Sequence, residues 1–306
     1  MRIAEDQGLT TDHALLALAY DVQCIVERVI DVDWNRFSRA NLALQLEPMQ
    51  VDLARILSTR RAGRSIGFVE LGCGKWNPFG LGFAMLLAGF DRAYCVDTDP
   101  PSNPERAAKV LADAAAMALV DPESIFGASA PTNEQVFTRI RGFDLARLRR
   151  GDAGGIDASR LVAVQRIAED TGIEAGAIAL SHSSSFLEHV TDLDAVLAEL
   201  ARIMASGAAG VHIIDAVDHR IYDGPEHGAL VRLPRVRRMG DYDMNRLRPH
   251  ELIPRFERHG FTVVGFEPIR RVEVTEKLRA SFDPPYRAMS LDELAVVGAI
   301  MRVRKR

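Results

Sequence analysis

Two acidic residues and a glycine turn are the first candidates for binding chemistry in this chain of 306 residues. Glu70 ends a short apolar run that begins at Ile66, and Gly72 and Gly74 follow it directly. Glycine allows a close backbone approach to a ligand and positive φ angles, whereas a carboxylate suits an amine or another cation. Asp97 ends a second apolar run, at a spacing typical of an acidic side chain that binds ribose hydroxyls. These residue types favour a ligand with an amine or positive charge and a ribose.

The elements on either side of the glycines are those that would position such a site. Residues 66–69 predict a buried strand, and the apolar pattern that begins at Pro78 and stops at Gly89 predicts a helix. A helix N-terminus presents free N–H groups that suit a carboxylate or a phosphate. Strand, glycine turn and helix together predict an open α/β sheet with a ligand at the carboxyl ends of its strands.

The rest of the chain alternates strand and helix patterns. A helix begins at Asn103 and Pro104, and another begins at Thr191 or Asp192 and is expected to stop at Gly207. A further helix is predicted from Pro249 to His259. The remaining predicted strands are residues 93–99, 161–167, 175–180, 210–215, 261–267 and 295–301.

Three segments fall outside this alternation. Residues 1–63 predict two helices that precede the first strand, and they could form either a lid over the site or an interface, including one for a homodimer. Residues 121–160 predict an insertion of one helix plus loops, with a cap-like role. Residues 216–247 form a second addition, rich in His, Asp, Tyr and Arg, that is expected to face the substrate. The domain proper is therefore expected to span residues 64–306.

The motifs together resemble the class I S-adenosylmethionine (SAM)-dependent methyltransferases. The matching residues are Glu70-Leu-Gly-Cys-Gly74, Asp97, and the segment Ser183-Ser-Ser-Phe-Leu-Glu-His-Val190. Trp76 stands where the family usually carries another glycine. The resemblance implies a Rossmann-like, seven-stranded, mostly parallel sheet with helices on both faces. Residues 212–219 and 245–249 are similar to a bacterial branch that acts on small molecules, glycans or natural-product precursors.

The resemblance also implies a cofactor site for SAM, with S-adenosylhomocysteine (SAH) as the product. Its residues would contact the methionyl group, the ribose, the adenine ring and the sulfonium. In that order they are Glu70, Gly72, Cys73 and Gly74; Asp97 and Thr98; Ala168 and Glu169; and Ser181 and Ser183.

An alcohol acceptor must lose a proton when it is methylated, and a His or a His–Asp pair suits that step. His182 follows the fourth predicted strand, and Asp215 and His219 follow the fifth. These three residues are the predicted catalytic groups of an O-methyltransferase. His212 lies inside the fifth strand and is expected in the core. Asp215, Asp218 and His219 could instead bind a divalent metal, but no second ligand cluster accompanies them, so no metal is expected.

Other functions are less compatible with these motifs. A nicotinamide-dependent dehydrogenase would carry a third glycine in the turn and no acid before it, because Glu70 would repel a pyrophosphate. A SAM-binding scaffold or partner subunit without chemistry remains open as the alternative. N- and C-methylation are not separated from O-methylation by the sequence.

Composition narrows the partners and the compartment. The net charge of −4 gives no reason to expect nucleic acid or an anionic membrane as a partner. No apolar stretch is long enough to cross a membrane. Three cysteines without paired spacing predict reduced thiols and a cytoplasmic location. The strong excess of arginine over lysine suggests a bacterial source.

Overall fold

The computed structural model describes residues 42, 45–59, 65–75, 77–217, 245–282, 284 and 286–306. Trp76, Asp218, His219, most of residues 1–63 and nearly all of the 216–247 segment lie outside the described residues. The predictions for the lid or dimer interface and for His219 therefore remain predictions. No helix among the described residues is both long and apolar enough to cross a membrane.

Seven strands form one sheet in the order β3-β2-β1-β4-β5-β7-β6. The strands are β1 (Gly67–Leu71), β2 (Arg92–Asp97), β3 (Leu161–Gln165), β4 (Ile178–Ser184), β5 (Met204–Asp215), β6 (Phe261–Arg271) and β7 (Val296–Lys305). β1 pairs with β2, and β2 with β3, in parallel. β7 runs antiparallel to both β5 and β6. The prediction of a seven-stranded, mostly parallel α/β sheet is confirmed.

The described helices connect and flank these strands. They are α1 (Gln50–Ser58), α2 (Gly80–Ala88), α3 (Pro104–Val120), α4 (Glu123–Phe126), α5 (Asn133–Ile140), α6 (Leu145–Arg149), α7 (Leu193–Ile203), α8 (Leu252–Arg258), α9 (Glu276–Ala280) and α10 (Leu291–Ala295). Single 3₁₀ turns lie at Glu47–Met49, Gly127–Ser129, Ala153–Gly155, Pro249–Glu251 and Tyr286–Ala288.

Contacts divide the chain into two compact units. The first unit comprises the residues up to Ile167 with Ala177–Leu180, and the second comprises Ala168–Gly176 with Ser181–Arg306. β4 begins in the first unit and ends in the second, so each unit contains part of that strand.

The core of the first unit lies around α2, which is apolar on every side and wholly buried. A helix of this kind must be covered all round, and α5, α3, β1 and β2 pack on it. The ring of Phe83 in α2 meets the ring of Phe143 edge-on at 4.9 Å between centroids. Gly89 ends α2 with φ of 130°, as its sequence position predicts.

The insertion at residues 121–160 contains three short helices, not the one helix that the sequence predicts. α5 begins with a capping box in which Thr132 and Gln135 exchange hydrogen bonds. α5 packs on α2 and α3, while α6 packs on α3. The apolar residues of the three helices do not share one helical period, and arginines lie between them. The sequence pattern therefore did not separate the three helices.

In the second unit, the β4 and β5 boundaries differ from the sequence prediction. The prediction ended the fourth strand at Leu180, but β4 continues to Ser184. It also extended the following helix to Gly207, but α7 ends at Ile203 and β5 begins directly at Met204. The last four residues of β4 are polar, and their pattern therefore predicted a loop. Three of them are buried by neighbours that are distant in sequence, which a local pattern does not show.

Candidate functional site

The turn after β1 is held to the end of β2 by backbone hydrogen bonds. The N–H groups of Gly72 and Cys73 both donate to the Val96 carbonyl, at 2.9 and 3.2 Å. The Gly74 N–H donates to the Asp97 carboxylate at 2.8 Å. Gly72 and Gly74 have φ angles of 69° and 73°, which glycine adopts without strain. The two sequence features thus form one structure.

A second set of bonds joins the same two loops farther from the strands. Ser102 donates to the Lys75 carbonyl through its N–H at 2.8 Å and through its hydroxyl at 3.0 Å. The Asp99 N–H donates to the other oxygen of the Asp97 carboxylate at 3.0 Å. Each of these oxygens has a further lone pair, so Asp97 can still accept from ligand hydroxyls.

Glu70 is the buried acid of this loop pair. It is 7 % exposed and lies in a strand in which all five residues are buried. Burial, and to a lesser degree the charge of Asp97, raise the pKa of Glu70 to about 8. A carboxyl with such a pKa is neutral at neutral pH and ionises when a cation arrives beside it. The loop pair therefore suits a ligand with an ammonium group.

The cysteines near this acid are poorly suited to act as nucleophiles. Burial raises the pKa of the Cys73 thiol well above its usual range, and the neighbouring Cys95, Glu70 and Asp97 raise it further. Burial raises the pKa of Cys95 as well. Since a thiol attacks only as its thiolate, Cys73 serves here as a small residue in the turn.

The helix that follows the glycine turn lies very close to the sheet. A Cβ placed on Gly82 would lie 2.7 Å from Cys95 Sγ and 3.2 Å from Leu161 Cδ1. Only glycine allows this approach of α2 to β2 and β3. Gly82 thus provides the close helix–sheet packing that such folds assign to a glycine after the turn.

The other predicted cofactor residues occupy varied positions. Thr98 is exposed, and its carbonyl accepts from Gln165 at 3.3 Å. In the second unit, Ala168 is buried and Glu169 is partly exposed in the turn after β3. This turn is anchored by Thr171, whose N–H and hydroxyl donate to buried Glu199 at 2.9 and 2.6 Å.

The predicted floor residues are part of the second unit's core. Ser181, His182 and Ser183 are fully buried within β4. The Ser183 hydroxyl lies 2.9 Å from His212 Nδ1, and the His212 ring packs at 5.2 Å from the ring of Phe256. Burial lowers the pKa of His182 to about 4. A histidine with that pKa is a weak base at neutral pH, which argues against the catalytic role predicted for it.

Comparisons with known proteins give likenesses in structure but not in sequence. No family model and no curated protein matches the chain. A methyltransferase of Haloferax volcanii in complex with its activator Trm112 has 15 % identity and a TM-score of 0.40, over 86 % of this chain and 92 % of that one.

Two further solved structures give similar values. Geranyl diphosphate C-methyltransferase from Streptomyces coelicolor, bound to Mg²⁺, geranyl diphosphate and SAH, has 13 % identity and a TM-score of 0.42, over 88 % and 84 % of the two chains. A SAM-dependent methyltransferase from Methanosarcina mazei has 11 % identity and a TM-score of 0.42, over 82 % and 96 %. All three likenesses have TM-scores below 0.5 and identities of 15 % or less.

The strand order decides the fold. Parallel strands on one side of β1 and an antiparallel β7 inserted between β5 and β6 give the sequence 3-2-1-4-5-7-6. This is the Rossmann-like, mostly parallel seven-stranded sheet that the resemblance implied. In this fold the turn after β1 and the acid at the end of β2 are the two features that the sequence analysis identified first.

The second unit also contains a polar cluster to which the sequence analysis gave no role as a cluster. Glu188, in the turn after β4, is 3 % exposed, and one of its carboxylate oxygens accepts from the Asp215 N–H at 3.2 Å. Asn245 donates to the carbonyls of Leu187, Glu188 and Val190 at 2.6, 2.7 and 3.1 Å. The predicted Asp215 thus has a buried acidic neighbour. Glu188 lies within the segment 183–190 that carried the resemblance, but the motif alone did not indicate that its side chain is buried.

Proposed function

We propose that the chain is a SAM-dependent methyltransferase that acts on a hydroxyl of a small molecule, such as a sugar or a natural-product intermediate. The observation that carries the proposal is the loop pair of the first unit, in which a buried Glu70 and Asp97 flank a glycine turn. Its carboxylates match the ammonium group and the ribose hydroxyls of SAM.

The loop pair distributes the contacts along the cofactor. Glu70 faces the ammonium group, while the backbone of Gly72, Cys73 and Gly74 approaches the methionyl part. Asp97 accepts from the ribose hydroxyls, with Thr98 beside it. Ala168 and Glu169 are proposed at the adenine ring. Ser181 and Ser183, which are buried in β4, are proposed to form the floor of the site beside the sulfonium.

SAM supplies a methyl group on a sulfonium, which is already activated toward displacement. Alignment of the acceptor with that methyl group can contribute much of the rate acceleration. The acceptor proton needs a base, and Asp215 and His219 at the end of β5 are the candidates that the sequence predicts. His182 is the weaker candidate because burial lowers its pKa to about 4.

The experiment that tests the proposal is isothermal titration of the purified chain with SAM, with SAH and with NAD⁺. We expect SAM and SAH to bind with a 1:1 stoichiometry and NAD⁺ not to bind, because the turn lacks the third glycine of a dinucleotide-binding motif. No binding of SAM or SAH at high micromolar concentration would overturn the proposal. Binding without any methyl transfer would favour a scaffold role.

A further inference from the structure

The turn after β4 contains the buried carboxyl group of Glu188, which has no role in the proposed cofactor site. Glu188 lies in the second unit, and its Oε2 is buried with no hydrogen-bond partner among the described residues. A buried carboxylate oxygen without a partner costs a few kcal/mol, so its retention needs a reason. A ligand that donates a hydrogen bond would supply the missing partner.

The surroundings hold this carboxyl group in one position. Its other oxygen accepts from the Asp215 N–H at 3.2 Å, which joins the turn to the end of β5. The backbone N–H of Asn245 donates to the Glu188 carbonyl at 2.7 Å. The Asn245 side-chain amide donates to the carbonyls of Leu187 and Val190. The Asn245 side-chain oxygen accepts from the Leu247 N–H at 3.1 Å. The backbone of the turn is therefore held by one residue, Asn245, through both its backbone and its side chain.

Backbone strain occurs on both segments of this cluster. Ser185 has φ of 49° and Arg246 has φ of 63°, and neither is a glycine. Such conformations cost about 1–3 kcal/mol each and tend to persist at functional sites. The Ser185 N–H donates to the Ile213 carbonyl at 3.0 Å, so the strained turn is also tied to β5.

The charges around Glu188 are compatible with a proton acceptor. Burial raises the pKa of Glu188 to about 8, and the charge of Asp215 raises it further. Arg270 lies 3.9 Å from the Asp215 carboxylate and moderates that charge. A base works best when its pKa lies near the working pH, and this carboxyl group meets that condition.

We propose that Glu188 is the residue that accepts the proton of the methyl acceptor, with Asn245 as its positioning residue. The inference rests on the proposed function. The acceptor O–H bond breaks and its proton passes to Glu188 Oε2 as the acceptor oxygen forms a bond to the methyl carbon. The bond from that carbon to the SAM sulfur breaks with its electron pair, which gives SAH and a neutral Glu188. Glu188 then loses the proton to solvent.

The test measures tritium transfer from SAM carrying a tritiated methyl group to the small-molecule fraction of an extract from the source organism. It compares the wild-type chain, Glu188→Gln and Glu188→Asp, with Glu257→Gln as the matched control on the exposed surface of α8. Titration with SAH is run on all four proteins. We expect Glu188→Gln to bind SAH like the wild type and to transfer methyl groups at least about 100-fold more slowly. The control should match the wild type.

The pH profile separates a catalytic role from a structural one. Wild-type kcat should rise with pH and level off above about 8, because the carboxylate is the active form. The residual activity of Glu188→Gln should lack this rise, and Asn245→Asp should lower kcat while SAH affinity stays unchanged. Transfer by Glu188→Gln at the wild-type rate, or with the wild-type pH profile, would overturn the inference. A wild-type chain that binds no SAH or transfers no tritium would remove the proposed function itself, and the inference with it.

Discussion

At the level of single residues, the proposed binding of SAM depends most on Glu70. Its carboxyl group is buried beside Asp97, and its pKa of about 8 means that the empty protein holds a proton there at neutral pH. The ammonium group of SAM would favour the ionised form. Binding should therefore release a proton from the protein.

We predict that SAH binding at pH 7 releases close to one proton, and that the release falls toward zero as the pH rises above about 8. The measurement is isothermal titration in two buffers that differ in ionisation enthalpy. The Glu70→Gln variant serves as the control, since it has no proton to release. Proton-neutral binding by the wild type at pH 7 would show that Glu70 does not face the ammonium group.

Asp97 has two functions that one substitution can separate. Its oxygens accept from the N–H groups of Gly74 and Asp99 and, by proposal, from the ribose. Asp97→Asn should lower SAH affinity at least about tenfold, because an amide nitrogen cannot accept a hydrogen bond. Asp99→Asn, on the exposed side of the same loop, should bind SAH normally. Equal affinities for the two variants would contradict the ribose assignment.

At the scale of elements, Gly82 tests the close contact of α2 with the sheet. Gly82→Ala would place a methyl group 2.7 Å from Cys95 Sγ, so the free energy of unfolding should fall by about 1–3 kcal/mol. In Gly265→Ala the new methyl group would meet ordinary contact distances, the nearest being 3.5 Å to Arg302. Urea denaturation of both variants is the measurement. A stability loss no larger for Gly82→Ala than for Gly265→Ala would contradict the described packing.

The buried histidines of β4 and β5 make stability depend on pH. Burial lowers the pKa of His212 to about 3, and the charge of His182 acts in the same direction. A histidine with a lowered pKa contributes its full stability above about pH 6.5, and that contribution falls by about 1.4 kcal/mol per pH unit below it. The loss continues until the folded-state pKa is reached.

The variant His212→Asn should therefore lose most stability relative to the wild type at pH 7, and the difference should shrink as the pH falls from 6.5 toward 4. Urea unfolding of the two proteins across this range measures it. Phe256→Leu replaces the ring that packs on His212 and removes no titratable group. It should therefore destabilise the protein equally at pH 6.5 and at pH 4. A constant difference for His212→Asn would show that the histidine titrates normally.

Local signals in the sequence predicted the elements that depend on neighbouring residues. Asn103 and Asp192 cap their helices through side-chain bonds to the N–H groups of Arg106 and Ala195, as their positions suggest. The buried serines and histidine of β4 were misplaced because polar residues there are covered by distant parts of the chain. Glu188 was missed for the same reason, since Asn245 orders its turn from far along the sequence.

At the scale of the whole molecule, the fold class followed from the order of motifs. Alternating strands and helices with an acid–glycine turn after the first strand predict a doubly wound sheet, and the structure has one. The identity of the acceptor could not be predicted in this way. It depends on segments such as residues 121–160, whose helices follow no motif with known chemistry.

Whether the chain transfers the methyl group of SAM to a small molecule is tested most directly by following that methyl group. The chain is incubated with SAM, tritiated in its methyl group, and with a small-molecule extract of the source organism, and SAH and transferred tritium are counted together. We expect SAH and methylated product to form in equal amounts and Asp97→Asn to slow the formation of both. SAM that is bound and recovered unchanged, with no tritium in any product, would contradict this expectation.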